Sequence, residues 1–275
     1  MTELGQIPET WEIYSLNEML ENNLIIGHLD GNHGGLYPKS NEFVEDGVPY
    51  IGANCIKDSR IDFTNAKYLT SERAKQFKKG VAKNNDVLFA HNATVGPVAL
   101  LNTKLEYVIL STTLTYYRCN QEKVNPIYLM YYMQTPNFVN QYSKTMGQTT
   151  RNQVPITLQR EFKHIIPTKK EQDRISLILS SVDEQIEITD NLIEKTKELK
   201  KGLMQRLLTK GIGHSRFKDT EIGMIPEEWE VKRLEEICEF LDGKRKPIKA
   251  GDRAYMKGNI PYYGASGIID WVNDY

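Results

Sequence analysis

Near the middle of the chain the stretch KTMGQTTRNQ (144–153) gathers amide, hydroxyl and guanidinium side chains around one glycine. Gln148, Asn152 and Gln153 each carry a donor beside an acceptor, and Arg151 carries a fork of donors. Such groups can bond the edge of a nucleobase in pairs. Gly147 lets the backbone come close, Thr149 and Thr150 add hydroxyls, and Lys144 adds a charge that suits phosphate. The same text also reads as an ordinary polar surface turn. Two further stretches carry similar chemistry. HLDGNHGGLYPKSN (28–41) offers Asn32, His33, Lys39 and Asn41 on what the glycines and proline make a long loop. AHNATVG (90–96) offers His91, Asn92 and Thr94 just after an apolar run that reads as a strand.

Covalent chemistry has no visible home. There is no GxxxxGK[ST] phosphate loop, no GxSxG elbow and no HExxH pair. His28, His33, His91, His164 and His214 do not fall at ligand spacing, so no metal is expected. No Asn/Asp-Pro-Pro-aromatic tetrapeptide marks a pocket for a flipped adenine. The chain reads as a reader or scaffold without cofactor or catalysis of its own.

Bulk properties agree with a cored, soluble protein: 275 residues, 40% hydrophobic, 26% charged. The apolar runs are too short to span a membrane, the opening MTELGQIPE has no secretory pattern, and three scattered cysteines suit a reducing cytoplasm. Net charge is −1, but it is unevenly spread. Residues 141–170 hold six bases against one acid, 171–200 eight acids against four bases, and 241–258 six bases against two acids. That pattern suits phosphate-facing modules flanking an acidic segment, and equally an ordinary solvated surface.

The elements that must position these residues come in repeats. ELGQIPETWEIYSL (3–16) returns as EIGMIPEEWEVKRL (221–234), identical at eight of fourteen positions. VPYIGAN (48–54) is echoed by IPYYGAS (260–266). Repeats this far apart indicate a duplicated domain, not a solenoid. In the first copy VPYIGANCI, NDVLFAH and YVILSTTLTYYRC read as strands, and NPIYLMYYMQTPNFVNQYSK as a helix with Pro126 in its first turn. Its Tyr128, Tyr131, Tyr132 and Met133, like Trp11 and Trp229, read first as core. From 168 to 210 Ile175, Leu179, Val182, Ile186, Ile193, Leu203 and Leu207 step by fours and threes, with Thr189, Thr196 and Lys200 weakening the line. This is a coiled-coil seam on a rod of roughly 60 Å, which needs another helix against it.

These residues carry a resemblance. GQIPETWEIYSL, GVPYIGANCIKDSRIDF, NNDVLFAHNATVG, MGQTTRNQVPITLQREFKHIIPTKKEQDRISLILSSVDEQIE and KELKKGLMQRLLTKG resemble the specificity (S, HsdS) subunit of Type I restriction–modification systems, across essentially the whole chain. The resemblance implies an α+β protein: a mixed α/β target-recognition domain over 1–167, a conserved coiled-coil-type spacer helix over 168–210, a linker over 211–220, and an incomplete second recognition domain over 221–275. In that family each recognition domain reads one half of a bipartite site in double-stranded DNA, and the two spacer helices pack antiparallel. It also implies modification (M) subunits that carry S-adenosylmethionine and methylate adenine at N6, and restriction (R) subunits that use ATP and Mg²⁺. The departure is the second module, with 55 residues and no second spacer helix, expected to be a fragment or a natural truncation.

The resemblance transfers no specific base contacts, since such positions set sequence choice. If Arg151 reads a base edge, Arg151→Ala should relax discrimination at one position by roughly 1–3 kcal/mol in a binding competition. If it touches phosphate, affinity should fall alike for every sequence and the salt slope should flatten. Three further readings stand beside the DNA reader. One is a coiled-coil interaction module that captures modification subunits without reading DNA. Another is a homodimer through the spacer helix, and the last a methyltransferase-specificity fusion without its catalytic part.

Overall fold

The computed structural model describes residues 6–146, 152–240 and 247–274, with the side chains of Lys144 and Thr145 outside that description. The chain divides into two units, Met1–Asp190 and Asn191–Tyr275. The first unit opens with β1 (Glu12–Ser15), α1 (Leu16–Glu21) and β2 (Ile25–Asp30). Short strands follow: β3 (Phe43–Val44), β4 (Val48–Ile51), β5 (Ile56–Lys57), β6 (Arg60–Ile61) and β7 (Lys67–Leu69). Next come α2 (Ser71–Ala74), β8 (Val81–Ala82), β9 (Val87–Asn92), β10 (Thr94–Leu100), β11 (Val108–Leu110) and β12 (Leu114–Cys119). Helices α3 (Pro126–Tyr132), α4 (Pro136–Met146) and α5 (Ile156–Gln159), then β13 (Lys163–Ile166), precede the long α6 (Lys169–Lys210).

A four-stranded antiparallel sheet in the order β10-β9-β12-β2 forms the middle layer. A five-stranded sheet, β3-β7-β4-β11-β8, covers one face of it, and β11 runs parallel only to β4. Strand β9 is buried from Val87 to His91, as an unbroken apolar run requires when both faces are covered. Its alternation sorts the core. Val87 and Phe89 join Leu16, Met19, Leu129 and Phe138 from the helices and Met133 from the cap of α3, whereas Leu88 and Ala90 join Ile51, Val108 and Leu110 from the other sheet. A smaller cluster of Tyr50, Leu69, Ala74, Phe77 and Ile109 lies on the far side of the five-stranded sheet.

Three elements differ from expectation. VPYIGANCI is two strands in separate sheets, β4 and β5, with a 3₁₀ turn over Ala53–Cys55 between them. YVILSTTLTYYRC is two strands in two sheets, β11 and β12, not one. The break is polar: Ser111 Oγ and Thr113 Oγ1 lie 2.7 Å apart, and Thr113 Oγ1 accepts from Ala53 N at 2.8 Å. Hydroxyls offering backbone groups local partners compete with a continuing ladder. The helix expected over NPIYLMYYMQTPNFVNQYSK is likewise two, because Pro136 disfavours helical backbone at Thr135 and so starts a new helix. Pro126 does occupy the first turn of α3, capped by Asn125 Oδ1 accepting from Ile127 N and Tyr128 N.

Helix α6 runs unbroken for 42 residues, matching the rod read from the sequence. Gln172 seats its start. Buried completely, it accepts from Asn125 N at 2.8 Å and donates to Pro167 O at 2.9 Å and Lys123 O at 3.2 Å. Of the seam residues, Ile175 is half-buried against the first unit's core, while Leu179, Val182, Ile186, Ile193, Leu203 and Leu207 are exposed.

The repeated opening folds differently in its two settings. In the first copy β1 exists because β13 pairs with it, Glu12 opposite Ile166 through Ser15 opposite Lys163. Ser15 then caps α1 in a reciprocal box with Glu18. The second unit contains β14 (Phe217–Thr220) and β15 (Gly223–Pro226) as one hairpin, α7 (Leu234–Ile237), α8 (Ala250–Arg253), and β16 (Lys257–Gly264) with β17 (Gly267–Val272) as another. Among its described residues no strand takes the part of β13, so residues 230–233 form no strand and α7 follows Arg233 without a side-chain cap. Ile237, Phe240, Tyr255, Tyr263 and Trp271 stay exposed.

Candidate nucleic-acid interface

In the first unit several strand ends meet along one edge. The start of β12 lies beside the ends of β9 and β2, with Leu114 opposite Ala90 and Thr115 opposite Asp30. Past those ends the backbone stays bonded: Gly31 N donates to Leu114 O at 3.1 Å, and His91 N to Thr113 O at 3.0 Å. Ser111 N donates to Ile51 O at 2.7 Å, which brings the end of β4 to the same edge. Close approach here demands glycine: a Cβ on Gly31 would stand 2.1 Å from Ser111 O.

Two of the stretches selected from the sequence are joined at this edge. Asn92 and Gln153 form an antiparallel bridge, Ala93 N donates to Asn152 O at 3.0 Å, and Val154 N to His91 O at 2.8 Å. The β9–β10 turn and the end of KTMGQTTRNQ are therefore one surface, about 60 residues apart in the chain. Thr94 and Asn152 are exposed on it, Asn92 and Gln153 half-buried. Asn32 is exposed beyond the end of β2. Gln148, Thr149, Thr150 and Arg151 lie outside the described residues, as does the side chain of Lys144.

Two candidates are largely enclosed rather than standing on the open edge. His33 is buried, its ring tilted against Phe77 at 4.4 Å between centroids and its Nε2–H donating to Leu110 O at 2.7 Å. His91 is 2% exposed and its Nδ1–H donates to Val154 O at 3.1 Å. Burial lowers the pKa of both rings, so they are neutral struts. Each ties a loop down through a backbone carbonyl. Lys39 and Asn41 are exposed on a one-turn 3₁₀ helix (Ser40–Glu42) pinned by Arg73 to Glu42 at 2.6 Å, on the β3 side of the five-stranded sheet.

The structure adds residues that the sequence reading passed over. Lys78 and Lys79, both exposed, line a cleft of about 520 Å³ with Asn32, Gly34 and Gln76, and the candidate His33 lines it too. Exposed Asn54, whose Nδ2 donates to Asn65 O at 3.1 Å, stands just past the end of β4. KQFKKGVAK has four lysines in nine residues, a signal that a narrower charge window would have caught. Among the described residues no cluster of His, Cys, Asp and Glu is arranged to hold a metal, and no helix is long and apolar enough to cross a membrane.

An α+β module with a polar edge of amides, hydroxyls and lysines, followed by a long helix with an exposed apolar line, presents two surfaces suited to binding. The family model "Type I restriction modification DNA specificity domain" matches residues 8–198 and 226–275, and the chain belongs to that family. Among curated relatives, the MjaX specificity subunit of Methanocaldococcus jannaschii is 34% identical over 90% of this chain and 57% of its own length. The type I restriction enzyme MjaVIII specificity subunit of the same organism is 28% identical over 87% of this chain and 52% of its own. The chain thus spans little more than half the length of these relatives. Two solved structures share the fold. One, from work on complex assembly and conformational transition of the type I R-M system, has a TM-score of 0.53 at 19% identity, covering 74% of this chain and 46% of that one. The other, the HsdS subunit from Thermoanaerobacter tengcongensis, has a TM-score of 0.50 at 17% identity over the same shares.

Proposed function

We propose that this chain reads one half of a bipartite site in double-stranded DNA as part of a type I restriction–modification complex. Asn32, Asn92, Asn152 and Gln153 face base edges, and Lys78 and Lys79 lie along phosphates. The observation that carries the reading is the bridge between Asn92 and Gln153, which unites two separately chosen base-reading stretches on one polar edge. Catalysis belongs to other subunits: a modification subunit would supply S-adenosylmethionine, a restriction subunit ATP and Mg²⁺, all in the cytoplasm. The chain's part is to choose bases and to offer α6 as the mounting rod.

Selection from a duplex library with a randomised core tests this. The full chain should enrich a defined half-site. Asn152→Ala should relax one position of it by roughly 1–3 kcal/mol. Replacing Lys78 and Lys79 together by Ala should weaken binding to all sequences and reduce the salt slope by about 0.9 for each phosphate no longer neutralised. Flat enrichment by the wild-type chain would refute the reading.

The exposed line on α6 favours a second, compatible reading: the helix takes another helix, antiparallel, from a second copy. Leu203 and Leu207 are 44% and 41% exposed, an unusual state for leucines spaced at four on one stripe. Sedimentation should then show concentration-dependent dimers that Leu203→Glu abolishes. A monomer at every micromolar concentration refutes the pairing and leaves the helix to a different partner.

A further inference from the structure

Beneath the reading edge lies a buried polar knot that the DNA-contact reading does not use. Gln159 is fully buried at the end of α5, and all four of its hydrogen-bonding positions are filled. Its Oε1 accepts from Tyr117 Oη at 3.0 Å and from His28 Nε2 at 3.2 Å. Its Nε2 donates to Thr115 Oγ1 at 3.2 Å and to Val154 O at 3.0 Å. The same Val154 carbonyl also accepts from His91 Nδ1 at 3.1 Å. One carbonyl is thus held by two buried side chains from different elements, α5 and β9.

Val154 immediately follows the edge residues Asn152 and Gln153. Across from it Ala93 sits at φ 65°, a left-handed conformation that costs a non-glycine residue energy. Such a turn persists where its surroundings hold it, and here the hold is the Ala93 N–H on Asn152 O. Remove the grip on Val154 and the 152–154 side keeps only its two backbone bonds across the bridge, while β9 stays held by its sheet. A core packed with leucine would support the same strands without aiming either pair of amides.

We propose that Gln159 and His91 are positioning residues that set sequence preference through the Val154 carbonyl, by aiming Asn152 and Gln153 beside the β9–β10 turn. The role rests on the DNA reading proposed above. It belongs to buried groups that touch no base, so the edge is preorganised from below.

The test compares four variants of the full chain in selection from a randomised duplex library, with thermal midpoints and amide exchange measured in parallel. Gln159→Met and His91→Leu should each lower the preference for the enriched half-site about tenfold, the size of one base-edge interaction. Both should also deprotect the amides of Ala93 and Val154. His91→Gln, which keeps a donor, should recover part of the preference. Tyr117→Phe removes a bond to Gln159 but leaves both donors on Val154 O, so its midpoint should fall while preference and amide protection stay at wild type. An unchanged preference in folded Gln159→Met and His91→Leu overturns the proposal. So does a Tyr117→Phe protein that loses as much preference, since general loosening would then suffice. Wild-type protein without any preference overturns the DNA reading first and this role with it, whereas intact preference with unmoved exchange overturns the grip alone.

Discussion

Taking the protein from pH 7 to pH 4 should remove on the order of 3 kcal/mol of stability for each of two buried histidines, His28 and His164. His164 is completely buried among Tyr132, Phe138 and Tyr117, ring centroids 5.5–6.2 Å away, and its Nδ1–H donates to Phe162 O. Burial pushes its pKa down to about 4. His28, tilted against Tyr117 at 4.6 Å between ring centroids, is pushed by burial to about 3, against a smaller opposing pull from its bond to Gln159. The sign follows from which state binds the proton. An unfolded histidine titrates near 6.5, so between that pH and the folded value the unfolded chain carries a proton the native state refuses. The stability is therefore complete above about pH 6.5, falls as pH drops, and levels off near 4 for His164 and near 3 for His28. His33 and His91, lowered for the same reason, steepen the upper part of the fall. Urea unfolding at half-unit steps from about pH 7.5 to 4 measures the slope. His164→Asn should flatten it by close to one proton, and a wild-type midpoint unchanged from pH 7 to 5 would sink the argument.

Those histidines also show where the sequence was and was not legible. Apolar runs with one structural option could be read directly. NDVLFAH has too many buried neighbours to be anything but a central strand, and it is β9. The 42-residue helix has no proline and spaced leucines, and it runs through as read. Local polarity hid the breaks. Ser111 and Thr113 look like good strand residues until their hydroxyls find each other and the Ala53 amide, and only tertiary packing decides that. Amide-rich stretches were recognisable by type, but not their meeting. Nothing in the chain pairs position 92 with 153 except the fold. Histidine was the least legible type. Next to glycine and asparagine, His33 and His91 read as loop residues open to DNA, whereas partners distant in the chain, the Phe77 ring and the Val154 carbonyl, draw them inside. The repeated opening taught a related lesson, since WEIYSL makes a strand only where β13 arrives to pair with it.

Gly31→Ala should cost about 3 kcal/mol or more, at the upper end of the range for overpacking. The added methyl would meet Ser111 O at 2.1 Å, Leu110 O at 2.4 Å and Ser111 C at 2.5 Å, all of them backbone atoms with no rotamer to yield. The chain after β2 must then lift off the link between β11 and β12. Three things move with it: the Gly31 N–H bond to Leu114 O, the His33 bond to Leu110 O, and Asn32 beside the lysine-lined cleft. Gly80 sits in the same joint, at φ 61° with its own missing Cβ only 2.7 Å from the Gly31 Cα, so neither partner can retreat toward the other. Sequence preference should consequently drop further in Gly31→Ala than in Asn32→Ala, because the first displaces the whole loop and the second trims one side chain. Gly35→Ala is the matched control. Nothing lies within 4 Å of its added Cβ, and its stability should stay within about 0.5 kcal/mol of wild type. Denaturant midpoints of the three variants, together with library selection on each, separate the joint from the side chain. A Gly31→Ala protein as stable as Gly35→Ala would mean the edge is not held by this close approach, and the rigid platform argued for the reading residues would fail at its foundation.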